Sequence, residues 1–181
     1  AREWKVRLPA QGDPCEAVAG EQLRCFRHTL SLSLIRQLGR PGIVTLDAGS
    51  ERPLYALLVG LDADSATLRA GGVEQTVTLR ALAARWRGDF ATLWRVPPGY
   101  TGRLVDNERG PVVTWTARQL AAGEPGLRHE GVATHAWQLR GRLRHFQLAQ
   151  GLPVTGMLNP LTFMQLNRAA GVDEPRLRHN A

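Results

Sequence analysis

Lysine is nearly absent from this chain: Lys5 is the only one, yet 181 residues carry a net charge of +7. The basic character is therefore arginine, a planar cation that pairs carboxylates bidentately and keeps its proton at any physiological pH. Cysteine is scarce as well, with only Cys15 and Cys25. Two thiols exclude a disulfide-dense secreted scaffold and a four-cysteine zinc site. No apolar run approaches the roughly 18 residues of a membrane-spanning helix. The opening residues, AREWKVRLPA, lack the apolar segment of a signal peptide, and the abrupt start suggests a piece of something longer. Aromatic residues make up only 6%, but an apolar content of 43% is enough for a globular core rather than a disordered chain. The length lies between one domain and two.

Several chemistries lack their residues. Gly71-Gly72 is a hairpin turn and not a phosphate loop, because no Lys-Ser/Thr follows it. Asp62 and Asp64 have too few regularly spaced oxygen ligands after them for a cation loop. Glu108 and Glu130 have no partner carboxylate for glycoside hydrolysis. Cys15, Cys25 and His28 lack a fourth metal ligand at tidy spacing. The two cysteines, ten positions apart, leave a local disulfide or two free thiols according to the redox compartment. The densest basic run, Trp137 to His145, reads as a solvated helix face. Basic and aromatic residues form no nucleic-acid reading helix, so no nucleic-acid partner is expected.

What is present is an alternation of short elements. Pro9, Gly12, Pro14 and Gly20 break the first twenty residues, leaving at most a helical turn or two from Cys15. Leu23–Phe26 reads as a strand. Thr29 or Ser31 caps a helix that carries Leu30, Leu34 and Leu38 on one face and stops at Gly39. Strands follow at Gly42–Leu46, Tyr55–Leu61, Ala66–Arg69 and Val73–Leu79, with YALLVGL apolar throughout like a buried central strand. Thr78 caps a helix to Trp86, and Phe90–Val96 is the last strand. Trp86 and Trp94 belong to a core. Trp115 and Trp137 either pack helices or line a groove.

The second half centres on Phe146 to Leu166. A helix from about Ala136 carries Leu139, Leu143, Phe146 and Gln150 on one face and stops at Gly151. Thr155-Gly156 makes a turn, and Asn159-Pro160 opens a new helix with an N-cap and a proline at its first position. Leu161, Met164 and Leu166 face the core.

This stretch resembles the small three-helix peptidoglycan-binding domain of bacterial cell-wall proteins. The motif residues are Phe146-Gln147, Gly151-Leu152, Thr155-Gly156, Asn159, Thr162 and Leu166, with Gly110-Pro-Val-Val113 and Leu120 matching the first helix. Thr155 stands where the family usually has Asp, and Asn159 where it usually has Gly, a place asparagine can fill because it tolerates the left-handed conformation. The loop from Leu120 to Ala136 departs furthest from the compact pattern.

The first half resembles the peptidase-C39-like domain of the ExeA/GspA family, assembly factors of type II secretion. GRPGIVTLD, YALLVGLDADSATLRAGG and LRALAARWRGDFATLWRVPPGY carry the likeness. In that family a peptidoglycan-binding domain follows, which is the order here. The resemblance implies a periplasmic region of an inner-membrane protein. A C39 peptidase needs a cysteine, a histidine that deprotonates it and an orienting acid. Gln11-Gly-Asp13-Pro-Cys15 offers the cysteine, but Glu16 replaces the following glycine. Tyr55 takes the histidine position, and a phenol titrating near about 10 is no base at neutral pH. The third position falls near Arg69-Ala70-Gly71, without a carboxylate. His28 lies too close in sequence to serve, and His129, His135, His145 and His179 belong to the second half.

The expected architecture is α+β: an inactive papain/C39-like domain with a small antiparallel sheet over residues 1–104, a three-helix peptidoglycan-binding domain over 105–171, and a tail over 172–181. If Val172–Leu177 returns as an edge strand, the second domain is an insertion. The expected role is a non-catalytic periplasmic anchor that binds peptidoglycan and helps assemble or localise the secretin, as a possible homo-oligomer and without a cofactor or metal. The expected ligand face comprises Gln147, Gly151, Gly156, Asn159 and Thr162 with Arg140 and Arg144. The alternatives are a cysteine peptidase or wall amidase using Cys15, and a pure protein-interaction module.

Overall fold

The computed structural model describes residues 2–7, 11–102, 108–123, 133 and 135–178. The chain forms two compact units. The first is Ala1–Gly20, Arg24–Trp94 and Glu174–Ala181; the second is Glu21–Leu23 and Arg95–Asp173.

The first unit is α+β. Its strands are β1 (Leu23–Thr29), β2 (Gly42–Leu46), β3 (Leu54–Leu61), β4 (Ser65–Ala70), β5 (Val73–Thr78) and β6 (Asp89–Arg95), and its helices α1 (Pro14–Ala17), α2 (Leu32–Leu38) and α3 (Leu79–Arg85). The sheet order is β1-β6-β2-β3-β4-β5. The β6/β2, β2/β3, β3/β4 and β4/β5 pairs are antiparallel. β3 is an inner strand, and Leu58, Val59 and Leu61 are buried, as its unbroken apolar run requires. Local signals set the helices. Ser31 caps α2 by accepting from the Leu34 N–H, and Gly39 closes it in the left-handed conformation at φ 60°. Thr78 caps α3 in the same way through the Ala81 N–H. Trp86 and Trp94 are both buried, with Ile35, Leu38 and Phe90 among the core. Gly42 cannot be enlarged: a Cβ there would lie 2.3 Å from the Phe90 ring.

The chain re-enters this unit through main-chain bonds. The Leu177 N–H donates to the Gly39 carbonyl (2.9 Å) and the Arg178 N–H to that of Val59 (2.9 Å), while the Leu61 N–H donates back to Arg178 (3.2 Å). These bonds make a single parallel bridge at Gly60–Arg178. Residues 172–177 form no strand, and the bridge lies at Arg178, just beyond the segment expected as an edge strand. Side chains add a stronger clamp. Arg40 and Glu174, both fully buried, meet at 2.8 Å, and Arg40 also donates to the Leu93 carbonyl at 3.0 Å.

On the surface, Glu74 accepts from Arg69 and from Arg178, and Arg69 also reaches Glu3. The Arg178 and Arg69 hydrogen bonds hold the Glu74 carboxyl below the usual range. Arg85 does the same to Asp47.

Among its described residues the second unit has the helices α4 (Pro111–Gly123), α5 (Arg140–Ala149) and α6 (Pro160–Ala169), with a 3₁₀ turn at Ala136–Leu139 leading into α5. Val112, Val113, Leu120, Leu139, Leu143, Phe163, Met164 and Leu166 are buried in it. The unit also takes in residues 95–102. The Asn167 amide donates to the Arg95 carbonyl (2.8 Å), and the Tyr100 ring meets Phe163 edge-on at 5.7 Å.

Two outcomes follow. Glu174→Ala strands the Arg40 cation in the core and costs about 3–5 kcal/mol, read as a lowered urea midpoint; Arg40→Met with Glu174→Leu recovers most of it. The depressed values of Glu74 and Asp47 mean that their contribution is complete above the unfolded values, about 4, and is lost as the pH falls through the folded ones. Stability measured by urea titration therefore declines on acidification through that window, and Glu74→Gln flattens the decline.

Candidate functional site

Gln147 lies on the inner face of α5 and is fully buried. A buried primary amide needs two acceptors and at least one donor. The turn after the helix supplies them. Gln147 Oε1 accepts from the N–H groups of Thr155 (2.9 Å) and Gly156 (2.8 Å). Gln147 Nε2 donates to Thr162 Oγ1 (2.9 Å) and the Met157 carbonyl (3.0 Å), with Thr155 Oγ1 at 3.2 Å. Thr162, also fully buried, donates a hydrogen bond from its hydroxyl to Asn159 Oδ1 (3.1 Å). One side chain on α5 thus holds the whole turn and the start of α6.

The flanking chain is shaped to bring this about. Gly151 ends α5 in the left-handed region at φ 61°. The Leu152 N–H returns to the Gln147 carbonyl (2.8 Å) and the Gly151 N–H to that of Leu148 (3.1 Å), the paired bonds of a Schellman ending. Thr155 Oγ1 accepts from the Met157 N–H (3.1 Å). That is the acceptor role an aspartate would fill in the turn, so the Thr155 departure leaves the turn intact. Asn159 is extended, at φ −152°, and caps α6 by accepting from the Thr162 N–H. It serves as an N-cap, and the left-handed conformation invoked for it from sequence is not used.

The expected ligand residues fall into two groups. Gln147 and Thr162 are buried and saturated by the turn, so they support the site and do not reach a ligand. Arg140, Arg144, Gly151 and Thr155 are exposed and Asn159 is half-buried. Gly156, at φ 69°, packs under Arg144: an added Cβ would lie 2.9 Å from Arg144 Nε and 3.3 Å from the Arg140 carbonyl. The turn and the two arginines, one helical turn apart, therefore form one surface. Val154 and Met157 are half exposed beside them, and sequence reasoning missed both. The ten-residue connection from Gln150 to Asn159 has no periodicity to say which apolar side chains turn outward. Trp137 is 51% exposed, with the His135 ring 6.2 Å away, so it does not pack a helix. Trp115 does, against Phe163.

In the first unit, Cys15 and Cys25 are joined in a disulfide. Arg27 donates to Cys15 Sγ at 3.4 Å. Tyr55 stands exposed on β3, and Arg69 is tied to Glu3 and Glu74. His28 stacks on Phe26 at 4.8 Å. His129, Glu130 and His179 lie outside the described residues. A sulfur held in a disulfide is no nucleophile. Among the described residues no group of three His, Cys, Asp or Glu side chains is placed to hold a metal, and no helix is long and apolar enough to cross a membrane.

Gln147→Ala leaves the Thr155 and Gly156 N–H groups without their acceptor. At about 1–3 kcal/mol per buried group left unmade, thermal unfolding of this unit shifts by several degrees and both amides lose hydrogen-exchange protection. Gly156→Ala strains the left-handed position by about 1–2 kcal/mol and displaces Arg144, seen as a change at the Arg144 Nε resonance.

No family model matches the chain. The General secretion pathway protein A of Aeromonas hydrophila is 28% identical over 176 residues, covering 96% of this chain and 32% of that protein. The chain thus spans about a third of that relative's length. Among solved structures, a periplasmic domain of the EpsAB fusion protein of the Vibrio vulnificus type II secretion system is 25% identical, with a TM-score of 0.50, over 85% of this chain and 68% of that one. A peptidase C39 like domain of a toxin secretion ATP-binding protein from Vibrio parahaemolyticus is more distant, at 18% identity and a TM-score of 0.37 over 46% of this chain. The resemblance to ExeA/GspA-type secretion proteins read from the residues is the one that comparison with known proteins returns.

Proposed function

We propose that this chain is a non-catalytic periplasmic module of a type II secretion assembly protein, and that its second unit binds peptidoglycan. The observation that carries the reading is the turn held by Gln147. It presents Arg140, Arg144, Thr155 and the exposed main chain around Gly151 as one surface. Peptidoglycan offers complementary groups, with carboxylates on its stem peptides and hydroxyl and amide groups on its glycan. Arginine pairs a carboxylate bidentately, and the half-exposed Val154 and Met157 can cover an apolar sugar or lactyl face.

Support for the secretion context comes from similarity to the General secretion pathway protein A and to the EpsAB periplasmic domain. On this reading, wall binding localises the parent protein and its copies where the secretin assembles. The first unit contributes a scaffold and not peptidase chemistry, because Cys15 is held by Cys25 and Tyr55 stands at the histidine position.

Arg140→Glu with Arg144→Glu lowers retention on isolated sacculi about tenfold or more, one lost charge-assisted contact being worth about 1.5–3 kcal/mol. Thermal stability stays near that of the parent chain, because both side chains are exposed. Retention unchanged by the double variant would remove this surface from the account.

A further inference from the structure

The first unit contains a cavity of about 230 Å³ between the sheet face and the N-terminal segment. Trp4, Ile43, Leu57 and Leu93 supply apolar walls, and the Cys15–Cys25 disulfide closes one side. Ile43 and Leu57 are direct cross-strand partners, so both stand on the same face of the sheet. Ile43 remains 47% exposed at this cavity, and Tyr55, two residues before Leu57 on the same face of β3, is 66% exposed. An apolar shelf therefore leads out of the cavity along β2 and β3.

Among the described residues that line the cavity, Arg27 is the one that carries a charge. Its described contact is with Cys15 Sγ at 3.4 Å, a weak acceptor, and no carboxylate among the described residues pairs with it. A guanidinium has five N–H donors in a planar fork, so most of this one's capacity is open to a ligand. Size narrows the choice. An apolar cavity of about 150 Å³ holds a benzene ring, whereas sites for drug-sized ligands start near about 300 Å³. The volume suits one large side chain with the chain on either side of it running over the shelf.

The geometry points to a peptide-docking site in the first unit, which takes a protein segment carrying a large apolar side chain next to a carboxylate. The apolar group enters between Trp4, Ile43 and Leu57, and the acid pairs with Arg27. The site is independent of the wall-binding surface proposed above, since every residue in it belongs to the first unit.

Fluorescence anisotropy of labelled octapeptides tests this, using a Gly/Ser background with Phe between two Glu residues. The Glu-Phe-Glu peptide binds saturably. Replacing Phe by Ser, or Glu by Lys, weakens binding about tenfold or more, since burying the ring is worth about 1.5–3 kcal/mol and each 1.4 kcal/mol is a factor of ten. Ile43→Asp on the chain abolishes binding. Arg27→Glu reverses the preference toward the Lys-Phe-Lys peptide, a gain that a misfolded variant cannot produce. Equal binding of the two charge types, binding indifferent to Ile43→Asp, or no saturation by any peptide would overturn the proposal. Self-association of the chain that Ile43→Asp removes, without peptide binding, would assign the cavity to a second copy and overturn it equally.

Discussion

The second unit's candidate surface depends on one buried amide. Gln147 is polar, yet it has no exposure at all, and it is tolerable there only because the turn meets both ends of its side chain. The dependence is mutual. A connection rich in Pro and Gly has few bonds of its own, and without the amide it has little to select one conformation. With it, Thr155, Gly156, Met157 and Thr162 are fixed to α5. Arg144 then lies over Gly156, where a larger residue would not fit. On the proposed reading, a base fixed in this way lowers the ordering cost of a ligand contact made by the arginines.

The first unit uses a different device for a similar end. Its chain is interrupted by some eighty residues and must still close. The buried Arg40–Glu174 pair, the main-chain bonds at Leu177 and Arg178, and the exposed Arg178–Glu74–Arg69 cluster all act on the returning segment. The buried pair matters most because its failure leaves a charge in the core, whereas exposed pairs are individually weak. At the other end of the unit, the disulfide ties α1 to β1. The same bond that removes a nucleophile helps to form a cavity.

Much of the secondary structure was legible because its signals are local. Ser31, Thr78 and Asn159 act as caps, Gly39 and Gly151 as stops, and YALLVGL as an inner strand, each from neighbours within a few residues. The misreadings concern long-range partners. The helical stripe placed Gln150 on the inner face, but Gln147 occupies it, because its partners lie eight to fifteen positions onward and turn a polar residue into a core one. Arg40 and Glu174 are 134 positions apart, and nothing near either residue announces the other. The N-cap read for Asn159 holds, and its backbone is extended there, so the left-handed conformation that a family glycine at this place suggested is not needed. For the candidate site, residue types identified the turn, but only burial separates the members that support it from those that face out.

The central claim is that the Gln147-held turn is a shaped site for peptidoglycan and not merely a basic surface. Co-sedimentation of the purified chain with isolated sacculi across a salt series tests it most directly. Charges screened beyond about 8–10 Å at physiological ionic strength contribute little to a site built from short contacts. The account predicts retention that persists through about 0.2 M salt, where exposed non-specific attraction is strongly screened. Retention that vanishes by that point, or is absent at low salt, would contradict it.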